Sequence, residues 1–382
     1  MTITLTKEMQ QMKEMIRNFV EREVEPFAIQ IEEEDAIPEH LVEKAKDLGL
    51  FGISIPEQYG GIGLNAVGKA TVLEQLGRTH NGFVSLISAH TGIGSTGLVK
   101  LASEHLKNKY LPEMAAGTKI GAFALSEPGA GSDATNLATS AEKKGDYWVM
   151  NGTKHFITNG PIADVYTVFA LTDKDKGAKG GITAFLVERD FPGLTVGKKD
   201  KKMGLRGSYT SQVIFEDCII PEENVIGEVG MGYISALKIL AEGRIGLAAR
   251  AVGSSGKLIE LSAKYAKERI QFGKPIADNQ AIQWMLADMA TETEAARALT
   301  MMAAQKIDEG KKVIKEASMA KLFASDVFNR VADKAVQIHG GMGYMAEYPV
   351  ERFYRDARIT KIYEGTNEIQ RLIIARNILE EC

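Results

Sequence analysis

Five short stretches hold residue types that can do chemistry. Lys361-Ile362-Tyr363-Glu364-Gly365-Thr366-Asn367-Glu368-Ile369-Gln370 places a carboxylate, Glu364, in a loop just ahead of the last helical pattern. Asn367 is expected to cap that helix and Gln370, three residues on, to complete a capping box. A carboxylate so placed serves as a general base if a pocket closes over it, and otherwise is a solvated loop residue. Phe123-Ala124-Leu125-Ser126-Glu127-Pro128-Gly129-Ala130-Gly131-Ser132-Asp133 is a strand-like run ending in a Pro- and Gly-containing loop. Such a loop brings N–H groups and hydroxyls close to a flat polar ring or a phosphate, or is a surface turn. In Lys154-His155-Phe156-Ile157-Thr158-Asn159-Gly160, Phe156 and Thr158 share one strand face. That face can stack on a ring and hydrogen-bond its edge, or pack in a core. Arg269, in Arg269-Ile270-Gln271-Phe272-Gly273-Lys274-Pro275, suits a pyrophosphate or the C-terminal end of a helix dipole. Gln337-Ile338-His339-Gly340-Gly341 closes another helix in a glycine turn, where His339 reads as a packing residue.

Other chemistries are disfavoured. Gly92-Ile93-Gly94-Ser95-Thr96-Gly97 matches a dinucleotide fingerprint, and Gly129 to Ala134 its looser form. A Rossmann unit needs strand, turn, helix and a second parallel strand, whereas the chain reads helical before Gly92. None of the six histidines has ligand spacing, so no metal is assigned. The two cysteines, Cys218 and Cys382, form no disulfide framework, which suits a reducing cytoplasm. A net charge of −4 supplies no field to recruit nucleic acid or anionic lipid. The N-terminus, from Met1 to Glu8, lacks a secretory pattern. Thr79 to Val99 is long and uncharged, but its His, Asn, Gly and hydroxyl residues favour a soluble core over stable membrane insertion.

These segments are carried by a helix–β–helix layout, divided at residues 1–120, 121–229 and 230–382. In the first part Met9, Met12, Met15, Ile16, Phe19, Val20, Val24 and Phe27 keep helical spacing, and further helices are expected at Glu39 to Leu48, Lys69 to Leu76 and Glu104 to Met114. The middle part alternates and is of antiparallel β character, with Asn151-Gly152 marking a hairpin between Tyr147 to Met150 and Thr153 to Thr158. The last part predicts helices at Ile234 to Ala251, Leu258 to Arg269, Gln280 to Glu309, Ile314 to His339 and Asn367 to Glu380. The outer thirds carry too many apolar faces to stand apart, so they should pack together.

Taken in order, Ser126 to Asp133, Phe156 to Asn159, Lys202-Met203-Gly204-Leu205-Arg206-Gly207-Ser208, Arg269 to Pro275, Gln337 to Gly341 and Ile362 to Gln370 resemble the motifs of the acyl-CoA dehydrogenase family across essentially the whole chain. The resemblance implies an α+β fold with an N-terminal helical domain, a central antiparallel β domain and a C-terminal four-helix bundle, assembled as a homotetramer. It implies FAD lined by Phe123, Leu125, Ser126, Gly131, Ser132, Phe156 and Thr158, with Thr366 and Glu368 approaching from the same subunit. Arg269, Phe272, Gln337 and Gly341 would reach the FAD of a partner subunit. Ser132, Arg244 and Gly365 would contact the acyl-CoA. Glu364 would be the catalytic base. The family's minority base position, just before Arg244, is Gly243 here, and Glu242 beside it lies about 100° away around the helix.

The activity so implied is α,β-dehydrogenation of a saturated acyl-CoA to trans-2-enoyl-CoA, with electrons passing to an electron-transferring flavoprotein. Gly243-Arg244-Ile245-Gly246 is most similar to short-chain and butyryl members, and short- to medium-chain substrates are expected. A branched-chain dehydrogenase, an acyl-CoA oxidase and a non-catalytic flavin or acyl-CoA binding protein are the alternatives.

Overall fold

The computed structural model describes residues 5–381. Cys382 and Met1 to Thr4 lie outside them, and the expectations for these residues rest on sequence alone.

The N-terminal helices begin where a short polar side chain can accept the first free N–H groups. Thr6 caps α1 (Lys7–Phe19), Asn65 caps α4 (Ala66–Leu76) and Ser103 caps α7 (Glu104–Ala115). Between them lie α2 (Ala28–Glu34), α3 (Glu39–Asp47), α5 (Asn81–Ala89) and α6 (Ser95–Leu101). Gly49, at φ 68°, ends the α3 region as its position suggests. The Gly92–Gly97 decoy falls on a π-helical turn (His90–Gly94) running into α6, with no strand before it. No helix among the described residues is long and apolar enough to cross a membrane.

Strands β1 (Gly121–Ala124), β2 (Ser140–Lys144), β3 (Tyr147–Thr158), β4 (Val165–Leu171), β5 (Ile182–Glu188), β6 (Leu194–Val196), β7 (Thr210–Pro221) and β8 (Val225–Ile226) form one sheet. Its order is β6-β7-β3-β2-β4-β5-β8, with β1 beside β4. The pairing is mainly antiparallel, but β1 runs parallel to β4 in the register Gly121 to Val165. The chain between them is long enough for that crossover.

The expected Asn151-Gly152 hairpin is not a turn. Strand β3 runs straight through it, and the tight turn is at Gly145-Asp146, joining β2 to β3. Asn151-Gly152 instead makes a bulge against β7. The Asn151 side chain donates to Asp217 Oδ1 (3.0 Å) and accepts from the Asp217 N–H (2.8 Å). Gly152 is required because a Cβ there would lie 2.5 Å from Thr139 Oγ1.

After the short α8 (Ala178–Gly181), the C-terminal helices are α9 (Gly232–Glu268), α10 (Gln280–Asp308), α11 (Ile314–His339), α12 (Pro349–Ile359) and α13 (Asn367–Glu381). The two helices expected at Ile234 to Ala251 and Leu258 to Arg269 are one rod of 37 residues. Its glycines are a packing device rather than a break. A Cβ on Gly253 would sit 1.8 Å from the Glu74 carbonyl oxygen, and one on Gly77 2.3 Å from that of Arg250. The missing side chains let α9 and α4 cross backbone to backbone, and Ser254 Oγ donates to the Gly77 carbonyl (2.6 Å). Helices α9, α10 and α11 pack on one another, and α13 lies along α11.

One apolar core joins the outer thirds, with Phe19, Leu73 and Phe83 against Ala248, Val252 and Phe328. A second lies between the sheet and α6–α7, and a third lies within the β region around Trp148, Tyr166 and Phe185.

Candidate active site

Glu364 occupies the loop between α12 and α13. Its backbone is left-handed, at φ 55°, and Gly365 follows at φ 89°. For Glu364, which has a side chain, that geometry costs energy unless the surroundings hold it, whereas Gly365 adopts it freely. Here three side chains hold their carbonyls. Arg244 Nε donates to the Glu364 carbonyl (3.3 Å) and Gln370 Nε2 to both carbonyls (3.2 and 2.9 Å). Lys321 Nζ donates to the Gly365 carbonyl (2.8 Å).

The Glu364 carboxylate points at α9. Its Oε2 is closed off from water and has no hydrogen-bond partner. Burial holds its pKa above 4.5, against the opposing pull of Arg250, Arg244, Lys321 and Lys69. A buried carboxylate with an unused oxygen and a raised proton affinity is equipped to take a proton. Around it, Arg250 donates to the Tyr363 hydroxyl (3.1 Å), and Lys69 to the Thr91 carbonyl (2.9 Å). Gly243 faces Glu364, whereas Glu242 turns away to pair with Lys100, as the helical rotation requires.

The capping expectation is corrected. The cap of α13 is Thr366, whose Oγ1 accepts the Ile369 N–H (3.3 Å). Asn367 begins the helix and turns inward, accepting from Lys321 and Ser325 and donating to Asp326. Gln370 holds the Glu364 loop rather than closing a capping box. Glu368, one residue into the helix, is exposed.

A second group of the expected site residues gathers on the sheet. Ser126 follows β1, and its carbonyl accepts the His155 N–H of β3 (2.9 Å). Phe156 is 65% exposed at φ 59°, with its ring stacked on His155 at 3.9 Å. Thr158 is two residues further on. Phe123 and Leu125 are buried in the core between sheet and helices, Phe123 against Phe169 at 5.0 Å. Gly131 and Ser132 lie exposed on the following loop, and a Cβ on Gly131 would meet nothing within 4 Å.

Beneath this loop is a feature the sequence reading missed. Lys154 and Glu127, both buried, pair at 2.7 Å. Lys154 also donates to the Leu125 carbonyl (3.1 Å), and Glu127 accepts the N–H groups of Ala138 and Thr139 (2.6 and 3.0 Å). Burial lowers the Lys154 pKa to about 8, opposed by Glu127.

The third group stands apart from both. Arg269 and Phe272 are on a small hairpin (Ile270–Gln271 with Lys274–Pro275) after α9. Gln337 is near the end of α11 and Gly341 is in the turn beyond. Phe272 is 100% exposed, a large apolar surface with no cover in the single chain. A cavity lined by Met203, Asn329, Arg330, Asp333, Lys334, Tyr354 and Arg358 shares none of the expected site residues. Among the described residues, no cluster of His, Cys, Asp and Glu is placed to hold a metal.

Lys321 and Gln370 were also missed as site residues. The signal for Lys321 was a lone cation on the apolar face of α11, between Ala317, Ala320 and Ala324, all buried.

Comparison with known proteins gives a consistent result. Family models described as the acyl-CoA dehydrogenase N-terminal, middle and C-terminal domains match residues 6–118, 122–218 and 230–379. An acyl-CoA dehydrogenase of Bacillus subtilis is 48% identical over 98% of this chain and 99% of its own. An acryloyl-CoA reductase (NADH) of Anaerotignum propionicum is 45% identical over 100% of this chain and 96% of its own. The human mitochondrial short-chain specific acyl-CoA dehydrogenase is 45% identical over 99% and 92%. Among solved structures, butyryl-CoA dehydrogenase from Megasphaera elsdenii superposes with a TM-score of 0.96 at 41% identity, covering 99% of this chain and 100% of that one. A chain solved in work on the electron transferring flavoprotein of Acidaminococcus fermentans gives 0.96 at 44% identity, with coverage of 99% and 100%. A Bacillus anthracis acyl-CoA dehydrogenase complexed with FAD gives 0.92 at 39%, covering 99% of this chain and 67% of that one.

Proposed function

Because the chain belongs to the acyl-CoA dehydrogenase family, we propose that it oxidises a short-chain saturated acyl-CoA to the trans-2-enoyl-CoA, with Glu364 as the catalytic base. The observation that carries this reading is the orphaned, buried Oε2 of Glu364 on a left-handed, clamped loop.

FAD fits the residues present. Phe156 offers an uncovered ring on the sheet surface, and Ser126 and Thr158 flank it with hydroxyls. Bound there, FAD would supply the acceptor for the hydride that leaves the β-carbon of the substrate. Phe123, Leu125, Gly131, Ser132, Thr366 and Glu368 are assigned to the same cofactor. Arg269, Phe272, Gln337 and Gly341 are assigned to that of a partner subunit in a homotetramer, which gives the bare Phe272 ring a cover.

Glu364 takes the α-proton of the thioester. Desolvation raises its basicity, and the surrounding cations oppose that rise. Its N–H donates to the thioester oxygen, an interaction that strengthens as negative charge develops there. Arg244 and Gly365, which adjoin the base, and Ser132 from the sheet loop hold the acyl-CoA. Electrons leave to an electron-transferring flavoprotein. Short chains are favoured by the kinship with short-chain specific and butyryl-CoA dehydrogenases. The acryloyl-CoA reductase relative supports a second reading, in which the same groups run the reaction toward the saturated thioester.

Cytoplasmic residence and the domain division at 120/121 and 229/230 belong to the same proposal. Both boundaries fall in loops, after α7 and after β8.

The test is anaerobic mixing of the flavoprotein with C4 to C16 acyl-CoAs. Flavin bleaching fastest with C4 is expected, and Glu364→Gln should keep the flavin but slow bleaching roughly 10²–10⁴-fold. Full-speed bleaching in that variant would remove Glu364 from the role.

A further inference from the structure

The clamp on the Glu364 loop contains an ammonium whose placement calls for an account. Lys321 is fully buried on α11. A buried cation is costly unless partnered, and the ordinary partner is a carboxylate. The hydrogen-bond partners of Lys321 Nζ are instead the Gly365 carbonyl (2.8 Å) and Asn367 Oδ1 (2.8 Å). Asn367 is itself fixed by Ser325 (3.1 Å) and Asp326 (3.0 Å), so the ammonium is directed at the loop by a built network.

The loop has a reason to need holding. Glu364 at φ 55° is a non-glycine residue in left-handed geometry, which its side chain disfavours. Among the described residues no acceptor takes the Glu364 N–H. A relaxed, extended loop would turn both that N–H and the carboxylate elsewhere.

We propose that Lys321 is a positioning residue for the reaction: by pinning the Gly365 carbonyl it keeps the Glu364 main chain left-handed, so that the Glu364 N–H stays free for the thioester oxygen. Gln370, reaching that same Gly365 carbonyl and the Glu364 carbonyl from the first turn of α13, is its second arm. This assignment rests on the functional reading above and adds to it a residue that touches neither substrate nor cofactor.

The experiment uses the flavin-loaded protein. Lys321→Met should retain its flavin and circular dichroism and lower the rate of flavin reduction by butyryl-CoA by roughly ten- to a hundredfold. The decisive reading is binding, measured in a Glu364→Gln background where turnover is blocked. Adding Lys321→Met should weaken butyryl-CoA by about tenfold, the worth of one directed hydrogen bond. It should leave S-butyl-CoA, a thioether without the carbonyl oxygen, unchanged. Equal weakening of both ligands, or of neither, overturns the proposal. If Lys321→Met fails to fold, Gln370→Ala is measured in the same way, and absence of the carbonyl-dependent loss there overturns it as well. Failure of the wild type to be reduced by any acyl-CoA would instead overturn the functional reading.

Discussion

A Cβ built on Gly243 would lie 2.5 Å from Glu364 Oε2 and 2.8 Å from Ile93 Cγ2. A glycine of α9 thus faces the carboxylate across the site. The two family positions for the base share one volume, and this chain fills it from the loop side.

Gly243→Ala is therefore expected to push the Glu364 carboxylate aside, because both the carboxylate and Ile93 must give way. Flavin content and melting temperature should change little, since the displaced atoms are side-chain ends. The rate of flavin reduction should fall by about tenfold, the cost of a modest misplacement of a base. Stopped-flow reduction by butyryl-CoA reads it.

The raised pKa of Glu364 has a signed consequence for stability. Its folded-state pKa lies above the unfolded 4.5, so the folded protein binds the proton more tightly. The stability it contributes is present below 4.5 and is lost as pH rises through the folded value. Glu364→Gln carries no such loss. Its melting temperature relative to wild type should climb as pH rises from 4.5, then level off, in a pair of thermal melts across pH. The acid limb of wild-type kcat/KM should likewise lie above pH 4.5 and vanish in the variant.

Lys154→Met leaves Glu127 buried beneath the loop of Gly129 to Asp133 with only main-chain donors. Breaking one side of a buried pair costs roughly 3–5 kcal/mol. Urea denaturation should report that loss, and retained FAD should fall because the loop that bears Ser126 loses its support. Restoring apolar neutrality with Glu127→Leu/Lys154→Met should recover part of the stability and none of the loop's main-chain bonds.

Phe272→Ala removes a ring that is wholly exposed in the single chain, so it should not destabilise the monomer fold. If the ring meets a partner subunit's flavin, the variant should lose flavin and dissociate at lower dilution. Sedimentation velocity and the absorbance ratio at flavin and protein wavelengths check both.

The parts legible in the sequence were those written in local chemistry. Helix α11 (Ile314–His339) has the expected bounds at both ends, and α10 (Gln280–Asp308) starts where expected and ends one residue early. What was misread had a second use for the same residues. Asn151-Gly152 has hairpin chemistry, but Thr139 packs against the glycine and a bulge results. The expected gap between Ala251 and Leu258 is continuous helix, and Gly253 within it is a contact surface for α4. Helix α12 was overlooked because its apolar residues, Val350, Phe353 and Ala357, are separated by charges that pair with distant segments, Arg352 with Glu25 and Arg355 with Glu32. At the site, motif resemblance located Glu364. Periodicity had no means of pairing Lys321 with Gly365, 44 positions away.

Helix α9 has Arg244 beside the carboxylate, and just past its far end is Arg269, assigned here to the neighbouring copy. At 1.5 Å per residue an uninterrupted helix sets the distance between these two arginines at about 37 Å. It also sets their relative azimuth, since every residue added or removed would swing one end by about 100°. The spacer is thus indexed by residue count: it can absorb changes of side chain along its length, but a single insertion would aim one of its two arginines away from its target.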